Sequence, residues 1–289
     1  MKKLLSLVLV LVFSLSLVAC GGGSEETEEA AEGPVTAKVI EHDLTVEDYA
    51  FGVDKTQPEL LDEVNAFIAE IKENGTLDEI CDRYFGGGDP VAVTSAELDE
   101  SKDQLLVATN AAFEPFEYMK GENYYGIDME LAALLAEKLG QELVIMNMDF
   151  DAVCLSVGQQ KCDIAMAGLT INEEREEYVT FSDSYYAASQ KLIVPSTNVD
   201  FDACASADDV VALLNELDAE TSIGVQAGTT GQYYVEGDAD WGFDGVPATC
   251  VTYKNGSLAV QDMLNGNIQF VIIDSAPAIA ITEAINAVQ

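Results

Sequence analysis

The stretch DIAMAGLTINEEREEYVTFSDSYY, residues 163–186, indicates both how the chain folds and where its polar chemistry lies. It begins with an apolar run, 163–168, that is typical of a buried β-strand. Asn172 can then cap a short helix that holds Arg175. In open α/β sheets, ligands bind beyond the carboxyl ends of the strands. The polar residues after this strand therefore predict a binding site at the edge of a sheet.

Segments with strand and helix patterns alternate on both sides of this stretch. The apolar run 105–108 predicts a strand, and residues 58–71 carry apolar side chains at helical spacing behind a proline. Further strands are predicted at 222–225 and 270–273, with helical segments between them. This alternation favours an α/β fold.

The composition excludes several classes of function. The chain has 289 residues, which suits roughly two domains, and carries 52 acidic residues, 13 basic residues and one histidine. The formal net charge of −39 excludes a nucleic-acid partner bound through phosphate neutralisation. No phosphate loop, dinucleotide fingerprint, nucleophile elbow or metal-ligand spacing is present. We therefore expect no cofactor, no metal and no catalytic residue.

The N-terminus predicts export. Lys2 and Lys3 precede an apolar run, 4–19, that is shorter than the roughly 20 residues of a membrane span. This order is typical of a bacterial signal peptide, predicted here over 1–19. Cys20, which follows small residues, resembles the lipobox cysteine of bacterial lipoproteins, and we expect it to be lipidated, with palmitate among the chains. The alternative is a short membrane anchor with a chance cysteine.

The residues after Cys20 predict a tether, and the later cysteines allow either disulfides or free thiols. The Gly- and Glu-rich tract 21–33 lacks apolar periodicity, so we expect 20–34 to be a flexible, lipidated tether. The absence of a C-x-x-C pair excludes zinc-ribbon and thioredoxin sites. The remaining cysteines can form disulfides, as 154 with 162 and 204 with 250, or stay as buried free thiols. They are Cys81, Cys154, Cys162, Cys204 and Cys250.

Several segments together resemble a known family. Residues 163–186 match it most specifically, through AGLTINEER and FSDSYY. The chain resembles the amino-acid-binding proteins of ABC importers, which are extracellular solute-binding proteins with the type II periplasmic-binding-protein fold. That resemblance implies a two-lobed α/β protein with a hinge, a monomer that closes on an amino acid and delivers it to the permease. The other matching segments are 48–85, 108–118, 124–140, 224–234 and 266–277.

The order of the segments departs from the family. The stretch that resembles 35–86 ends the chain in the family, whereas here it comes first, so we interpret the sequence as circularly permuted. The rival interpretation is a swapped dimer in which 35–86 completes a neighbour. The family crosses between its lobes twice, and we expect crossings near 190–195 and 41–49. The expected lobes are 49–190, with a linker at 86–103, and 195–289 together with 35–41.

The resemblance assigns the ligand's carboxylate to one group of residues. Arg175 matches the family's carboxylate clamp, and its planar guanidinium suits a bidentate contact. Gly168 and Thr170 match positions that bring backbone and a hydroxyl to the ligand. Thr229 and Thr230 open a helix whose free N–H groups attract an anion. The alternatives are a surface arginine among glutamates and plain helix capping.

A second group would hold the rest of the ligand. Asp274 matches the family's ammonium ligand, the alternative being a helix cap. Phe113 and Phe150 match rings that flank the ligand's side chain, although aromatic residues are often simply core. Asn110 lies where the family recognises the side chain, and its neutral amide favours a neutral or polar ligand over a basic one. Lys254 is expected to lie away from the site.

Two other functions stay open at this stage. The first is a lyase of the dehydratase type on the same fold, for which Glu114 is the only extra acid that the sequence places near the cleft. The second is a ligand sensor that does not transport. Fold alone does not decide between these functions.

Overall fold

Strands and helices alternate through residues 34–289, the part of the chain that the computed structural model describes. The predicted signal peptide, Cys20 and the predicted tether up to 33 lie outside the described residues. Within 34–289, no helix is both long and apolar enough to cross a membrane. The five cysteines of this part are free thiols.

The strands are short and run throughout the described chain. They are β1 Ala37–Val39, β2 Glu47–Tyr49, β3 Gly52–Asp54, β4 Gln104–Thr109, β5 Ala112–Phe113, β6 Glu117–Lys120, β7 Asn123–Tyr125, β8 Glu142–Asn147, β9 Ile164–Ala165, β10 Val179–Phe181, β11 Tyr186–Ala188, β12 Gln190–Pro195, β13 Ser222–Gln226, β14 Thr249–Tyr253 and β15 Phe270–Asp274.

The helices mostly connect these strands. They are α1 Pro58–Glu73, α2 Thr76–Phe85, α3 Ile127–Leu139, α4 Val153–Gly158, α5 Glu173–Glu176, α6 Ala207–Leu214, α7 Thr230–Glu236, α8 Gly256–Leu264 and α9 Ser275–Asn286, with a 3-10 turn at Phe150–Ala152.

Two five-stranded sheets form the framework, which confirms the α/β prediction. The first sheet has the order β10-β3-β9-β4-β8, and β4 runs parallel to β8 and β9. The second has the order β1-β12-β15-β13-β14, and β13 runs parallel to β14 and β15. The apolar runs that predicted strands are buried on both faces, as in β15, where every residue is buried. Parallel strands align their carboxyl ends, so each sheet presents one edge of polar turns.

The N-terminal segment joins the two sheets. β1 lies at the edge of the second sheet, antiparallel to β12. β2 pairs with β11 between the sheets, and β3 lies inside the first sheet, between β10 and β9. The chain thus passes between the sheets twice, at 40–51 and again at 182–189. Residues 190–195, expected as a crossing, instead form β12 of the second sheet.

The two ends of the described chain meet on the second sheet. Asn286, the last residue of α9, accepts a hydrogen bond from the Ala37 amide (2.9 Å) and donates one to the Ala37 carbonyl (2.8 Å). Both backbone groups of one β1 residue are therefore paired with a side chain 249 residues away. This contact fastens the edge strand to the helix that follows β15.

The connection after α2 is attached to the first sheet along part of its length. The amide and carbonyl of Val93 both pair with Tyr124 (2.8 and 2.9 Å), and Val93 is buried. Ser95 Oγ accepts the Ile145 amide (2.8 Å), and the Ala96 amide donates to the Leu143 carbonyl (2.8 Å). The expected linker 86–103 therefore docks beside β7 and β8.

Removing the Asn286 amide should loosen the edge strand. In Asn286→Ala, two backbone groups of Ala37 lose their partners, and we expect the free energy of unfolding to fall by about 1–3 kcal/mol. Urea denaturation followed by circular dichroism measures this change. Glu283→Ala, on an exposed face of the same helix, is the control and should unfold like the wild type.

The same measurement distinguishes a single chain from a swapped dimer. If 36–39 docks on its own chain, the midpoint should not depend on protein concentration. A midpoint that rises with protein concentration would contradict docking of β1 on its own chain. An unchanged stability of Asn286→Ala would contradict the contact between β1 and α9.

Candidate functional site

The nine residues predicted to bind a ligand lie at strand ends, in the turns after them or at helix starts. Each sheet contributes several of them, and contacts across the gap between the sheets connect the two groups. They are Asn110, Phe113, Phe150, Gly168, Thr170, Arg175, Thr229, Thr230 and Asp274.

Arg175 is a buried residue between the two sheets, which excludes the surface alternative. Asn172 caps α5 by accepting the Arg175 amide (2.7 Å), as the sequence predicts. The guanidinium of Arg175 donates from Nη1 to the Thr170 carbonyl (2.7 Å). It also donates from Nη2 to the Gly228 carbonyl, in the turn after β13 of the second sheet (3.0 Å). The side chain is therefore oriented from both sides, although no carboxylate among the described residues lies within ion-pair distance of it.

Aromatic rings flank the guanidinium. The centroid of Phe150 lies 5.2 Å and that of Trp241 lies 5.9 Å from Arg175 Cζ. Both distances suit a cation–π contact. Trp241, to which the sequence assigned no role, thus lies next to the predicted clamp Arg175.

Asp274 ends β15 and is almost fully buried. No side-chain capping bond to α9 is present, and its Oδ1 instead accepts a hydrogen bond from the Tyr49 hydroxyl. Burial, and then the nearby charge of Glu47, raise the pKa of Asp274 to about 7, against the lowering effect of the Tyr49 hydrogen bond. The helix-cap alternative is therefore not what holds this carboxyl in place.

Hydroxyl groups link the two sheets next to these charges. The Thr230 hydroxyl donates to the Thr170 hydroxyl (3.2 Å), which donates to Glu47 Oε2 (2.7 Å). The Thr229 hydroxyl donates to the Gln226 carbonyl within its own turn (2.8 Å). Thr170 and Thr230 are thus brought together across the gap, while Thr229 is engaged locally.

Gly168 allows close packing in the first sheet's turn. Its φ of +53° is in the left-handed region, and a Cβ there would lie 3.0 Å from the Phe113 ring and 3.2 Å from the Tyr49 ring. Its amide donates to Asp128 Oδ2 (2.9 Å). Asp128, in the first turn of α3, is fully buried and thereby fixes this turn.

The sequence missed several buried polar residues that complete the network. Glu47 and Tyr49 lie on β2, between the sheets, and Gln226 ends β13. Glu47 also accepts from Thr45 (2.6 Å) and from Gln190 (3.0 Å). Their short strands carry no strong apolar pattern, and the only available signal was a polar residue at a strand end.

Lys254 does not lie away from the site, contrary to expectation. Its ammonium group forms an exposed ion pair with Asp149 (3.2 Å), which directly precedes Phe150. Glu114 forms an exposed ion pair with Lys120 (3.6 Å) and does not join the buried network.

Several cavities border this network. One of about 650 Å³ is lined by Glu47, Thr170 and Trp241, among others. A cavity of about 860 Å³ lies beside the β2–β11 pair and is lined by Phe85, Tyr118 and Tyr186, among others. A smaller one of about 120 Å³ is lined by Phe150, Arg175 and Gly228.

The chain matches one protein family over most of its length. The family is described as bacterial extracellular solute-binding proteins, family 3, and its model matches residues 10–87 and 105–275.

Two curated relatives illustrate what the chain is similar to. The arginine-binding extracellular protein ArtP of Bacillus subtilis (strain 168) is 33% identical over 131 residues, or 45% of this chain and 47% of that protein. The histidine-binding periplasmic protein of Escherichia coli (strain K12) is 25% identical over 175 residues, or 60% of this chain and 62% of that protein. The chain therefore spans about half to three fifths of the length of these relatives.

Solved structures give similar matches. An ancestral arginine-binding protein bound to arginine is 31% identical with a TM-score of 0.53, covering 63% of this chain and 75% of that chain. An ancestral amino-acid-binding protein, described as a precursor of cyclohexadienyl dehydratase, is 28% identical with a TM-score of 0.54. That match covers 73% of this chain and 78% of the other.

The buried carboxyls predict that the ligand-free protein is more stable at mildly acidic pH. The pKa values of Asp274 and Asp128 are each about 7 in the folded chain, above the ordinary 3.8. The folded state therefore binds more protons than the unfolded state, so stability is highest below the ordinary pKa and is lost as pH rises toward 7. Between pH 5.5 and pH 8, each group should lower the free energy of unfolding by about 2 kcal/mol.

Urea denaturation of Asp274→Asn across this range measures the effect. The variant should lose part of the pH dependence, whereas Asp89→Asn, at an exposed position, should keep the slope of the wild type. Parallel slopes for all three proteins would show that Asp274 is ionised in the ligand-free fold.

Proposed function

This chain belongs to the family 3 bacterial extracellular solute-binding proteins, and on that premise we propose that it captures a free amino acid between two lobes. Each lobe consists of one sheet with its helices. The closed complex would deliver the amino acid to the membrane subunits of an ABC importer. Catalysis has no role in this proposal, because the extra acid considered, Glu114, is exposed and paired with Lys120.

The observation that supports this proposal best is a buried guanidinium and a buried carboxyl held by different parts of the fold. Arg175 follows the first sheet's strand β9, and Asp274 ends β15 of the second sheet. A free amino acid is a zwitterion, and a buried site must pair both of its charges. Arg175 would take the carboxylate, with help from Thr170 and the turn at Thr229 and Thr230. Asp274 would take the ammonium.

The aromatic and amide residues would surround the ligand's side chain. Phe113 packs on Gly168, and Phe150 lies beside Arg175, so both are next to the proposed clamps. Asn110 is neutral, and we propose a neutral or polar amino acid over a basic one. The relatives named above bind arginine or histidine, so L-arginine and L-histidine belong in any ligand screen.

Closure would follow from the position of the clamps. Because ligand contacts come from both lobes, binding would favour the state in which the lobes touch. The crossing strands β2 and β11 would act as the hinge. A single folded chain would suffice to form both lobes, since 36–54 is already part of both sheets.

We also propose that the order of the chain is circularly permuted. The contact between Ala37 and Asn286 supports this proposal, because it continues the second sheet from α9 into β1. The first lobe would then be the first sheet with its helices, 52–181, including the connection at 86–103. The second lobe would be 190–289 with 35–41, so that the whole of β12 belongs to it. The predicted tether would leave from the second lobe, next to β1.

Removing either clamp should weaken binding strongly. In Arg175→Ala or Asp274→Ala, one charge of the ligand is buried without its partner, a loss of typically 2–5 kcal/mol. That loss corresponds to about 30-fold or more in Kd. Isothermal titration with the amino acid that stabilises the wild type most in a thermal-shift screen measures the change.

A matched control keeps this test specific. Lys161→Ala removes an exposed charge of the first lobe and should bind like the wild type. Lys254 is unsuitable as a control because its ion pair spans the two lobes. Unchanged affinity in Arg175→Ala, with an intact fold by circular dichroism, would show that Arg175 does not hold the ligand's carboxylate. Turnover of the ligand would favour the lyase alternative.

The N-terminal proposal concerns residues outside the described chain. We expect cleavage before Cys20, lipidation of its thiol and anchoring to the outer face of the cell membrane. Cys20→Ser should move the protein out of the membrane fraction, whereas Cys81→Ser should not. Intact-mass measurement of membrane-extracted protein provides the readout, and an unprocessed chain that begins at Met1 would contradict lipidation.

A further inference from the structure

Two buried amides face each other across the gap between the sheets. Asn110 follows β4 of the first sheet, and Gln226 ends β13 of the second. Gln226 Nε2 donates to Asn110 Oδ1 at 3.2 Å. Only 8% of Asn110 and 1% of Gln226 is exposed. The pair is therefore shielded from water and joins two polar sheet edges.

The orientation of both amides is determined by their neighbours. Asn110 donates from Nδ2 to the Met148 carbonyl (2.7 Å), and a carbonyl can only accept, so Oδ1 must point toward Gln226. Gln226 uses its Nε2 for that contact. Its Oε1 is buried and has no hydrogen-bond partner among the described residues. A buried carbonyl oxygen without a donor is unfavourable, so this atom calls for an N–H from elsewhere.

The pair lies next to the proposed ligand site. Two residues after Gln226, the Gly228 carbonyl accepts from Arg175. The Gln226 carbonyl itself accepts from Thr229 (2.8 Å). Phe113, one of the predicted flanking rings, lies three residues after Asn110. A ligand clamped by Arg175 and Asp274 would have its side chain within reach of these amides.

The chemistry of the pair selects among side chains. Neither amide carries a charge, so a buried cationic or anionic side chain would find no counter-charge in them. An aliphatic side chain would leave Gln226 Oε1 unpaired. A carboxamide supplies both an N–H donor for that oxygen and a carbonyl acceptor for Nε2.

We infer that Gln226, together with Asn110, recognises a carboxamide at the end of the ligand's side chain, so that the preferred amino acid is glutamine or asparagine. This inference rests on the proposed function, because it assumes that an amino acid binds between the lobes. Gln226 would be a specificity-determining residue, and a site built to hydrogen-bond an N–H strongly rejects analogues that lack it.

Isothermal titration against five amino acids tests the inference on the full chain. The panel is L-glutamine, L-asparagine, L-glutamate, L-arginine and L-methionine, which has nearly the length of glutamine without its amide. In the wild type, one of the two carboxamides should bind about tenfold or more tightly than each of the other three. The comparison of glutamine with asparagine identifies which length fits.

The variant Gln226→Met removes the amide and keeps the approximate volume. It should lose about tenfold or more in affinity for the preferred carboxamide and bind L-methionine within about twofold of the wild type. Gln159→Met, at an exposed position of the first lobe, is the matched control and should keep the ranking of the wild type.

The outcomes separate this inference from the proposed function. Binding of amino acids with glutamate, arginine or methionine ranked first would overturn the inference and leave the proposed function standing. An equal loss for all five ligands in Gln226→Met would do the same, since it would make the pair a simple latch between the lobes. No binding of any amino acid would overturn both.

Discussion

The pairing of one short segment with both sheets is the constraint on which the rest of this structure depends. Between Ala37 and Asp54, the chain contributes β1 to the second sheet, β2 to the pair between the sheets and β3 to the first sheet. Because these strands are only three residues long, their place depends on partners far away in sequence. The segment positions the two polar sheet edges opposite each other and makes a site between them possible.

That placement brings buried charges close together, and the fold compensates for each of them. Tyr49, which is fully buried, donates to Asp274, and Tyr185 donates to Asp128 (2.6 Å). Glu47 accepts hydrogen bonds from Thr45, Thr170 and Gln190. Burial raises the pKa of Asp274 and Asp128, so part of the compensation is protonation. A zwitterion that binds here would bring two opposite charges of its own. Those charges would take the place of some of these hydrogen bonds.

The same network explains why glycine and small polar residues occupy the turns of the site. Gly168 lets Phe113 and Tyr49 approach the backbone, while Thr170 and Thr230 meet across the gap. The Arg175 side chain crosses the gap to the Gly228 carbonyl. Contacts of this kind form only when the sheets are close, and they would have to rearrange when the lobes open. The geometry of the candidate site and the proposed closure of the lobes thus depend on one set of contacts.

The sequence by itself determined the elements and the chemistry that each strand end carries. Apolar runs and helical spacing predicted the α/β fold, because burial of a strand or of a helix face leaves a local periodic pattern. Arg175, Thr170 and Asp274 could be found because each follows such a run. The resemblance to solute-binding proteins rested on the same local segments, and the match to the family confirms it.

Only the tertiary structure decided which of these residues meet and what holds them. Tyr49 reaches Asp274 across 225 positions, and Gln226 reaches Asn110 across 116. Neither pair leaves a pattern in the sequence, since strand pairing and side-chain partners depend on packing that closes loops of this length. For the same reason Lys254 seemed distant from the site. The local sequence therefore determines which strand or helix a residue belongs to, whereas the packing of the whole fold determines which residue it contacts.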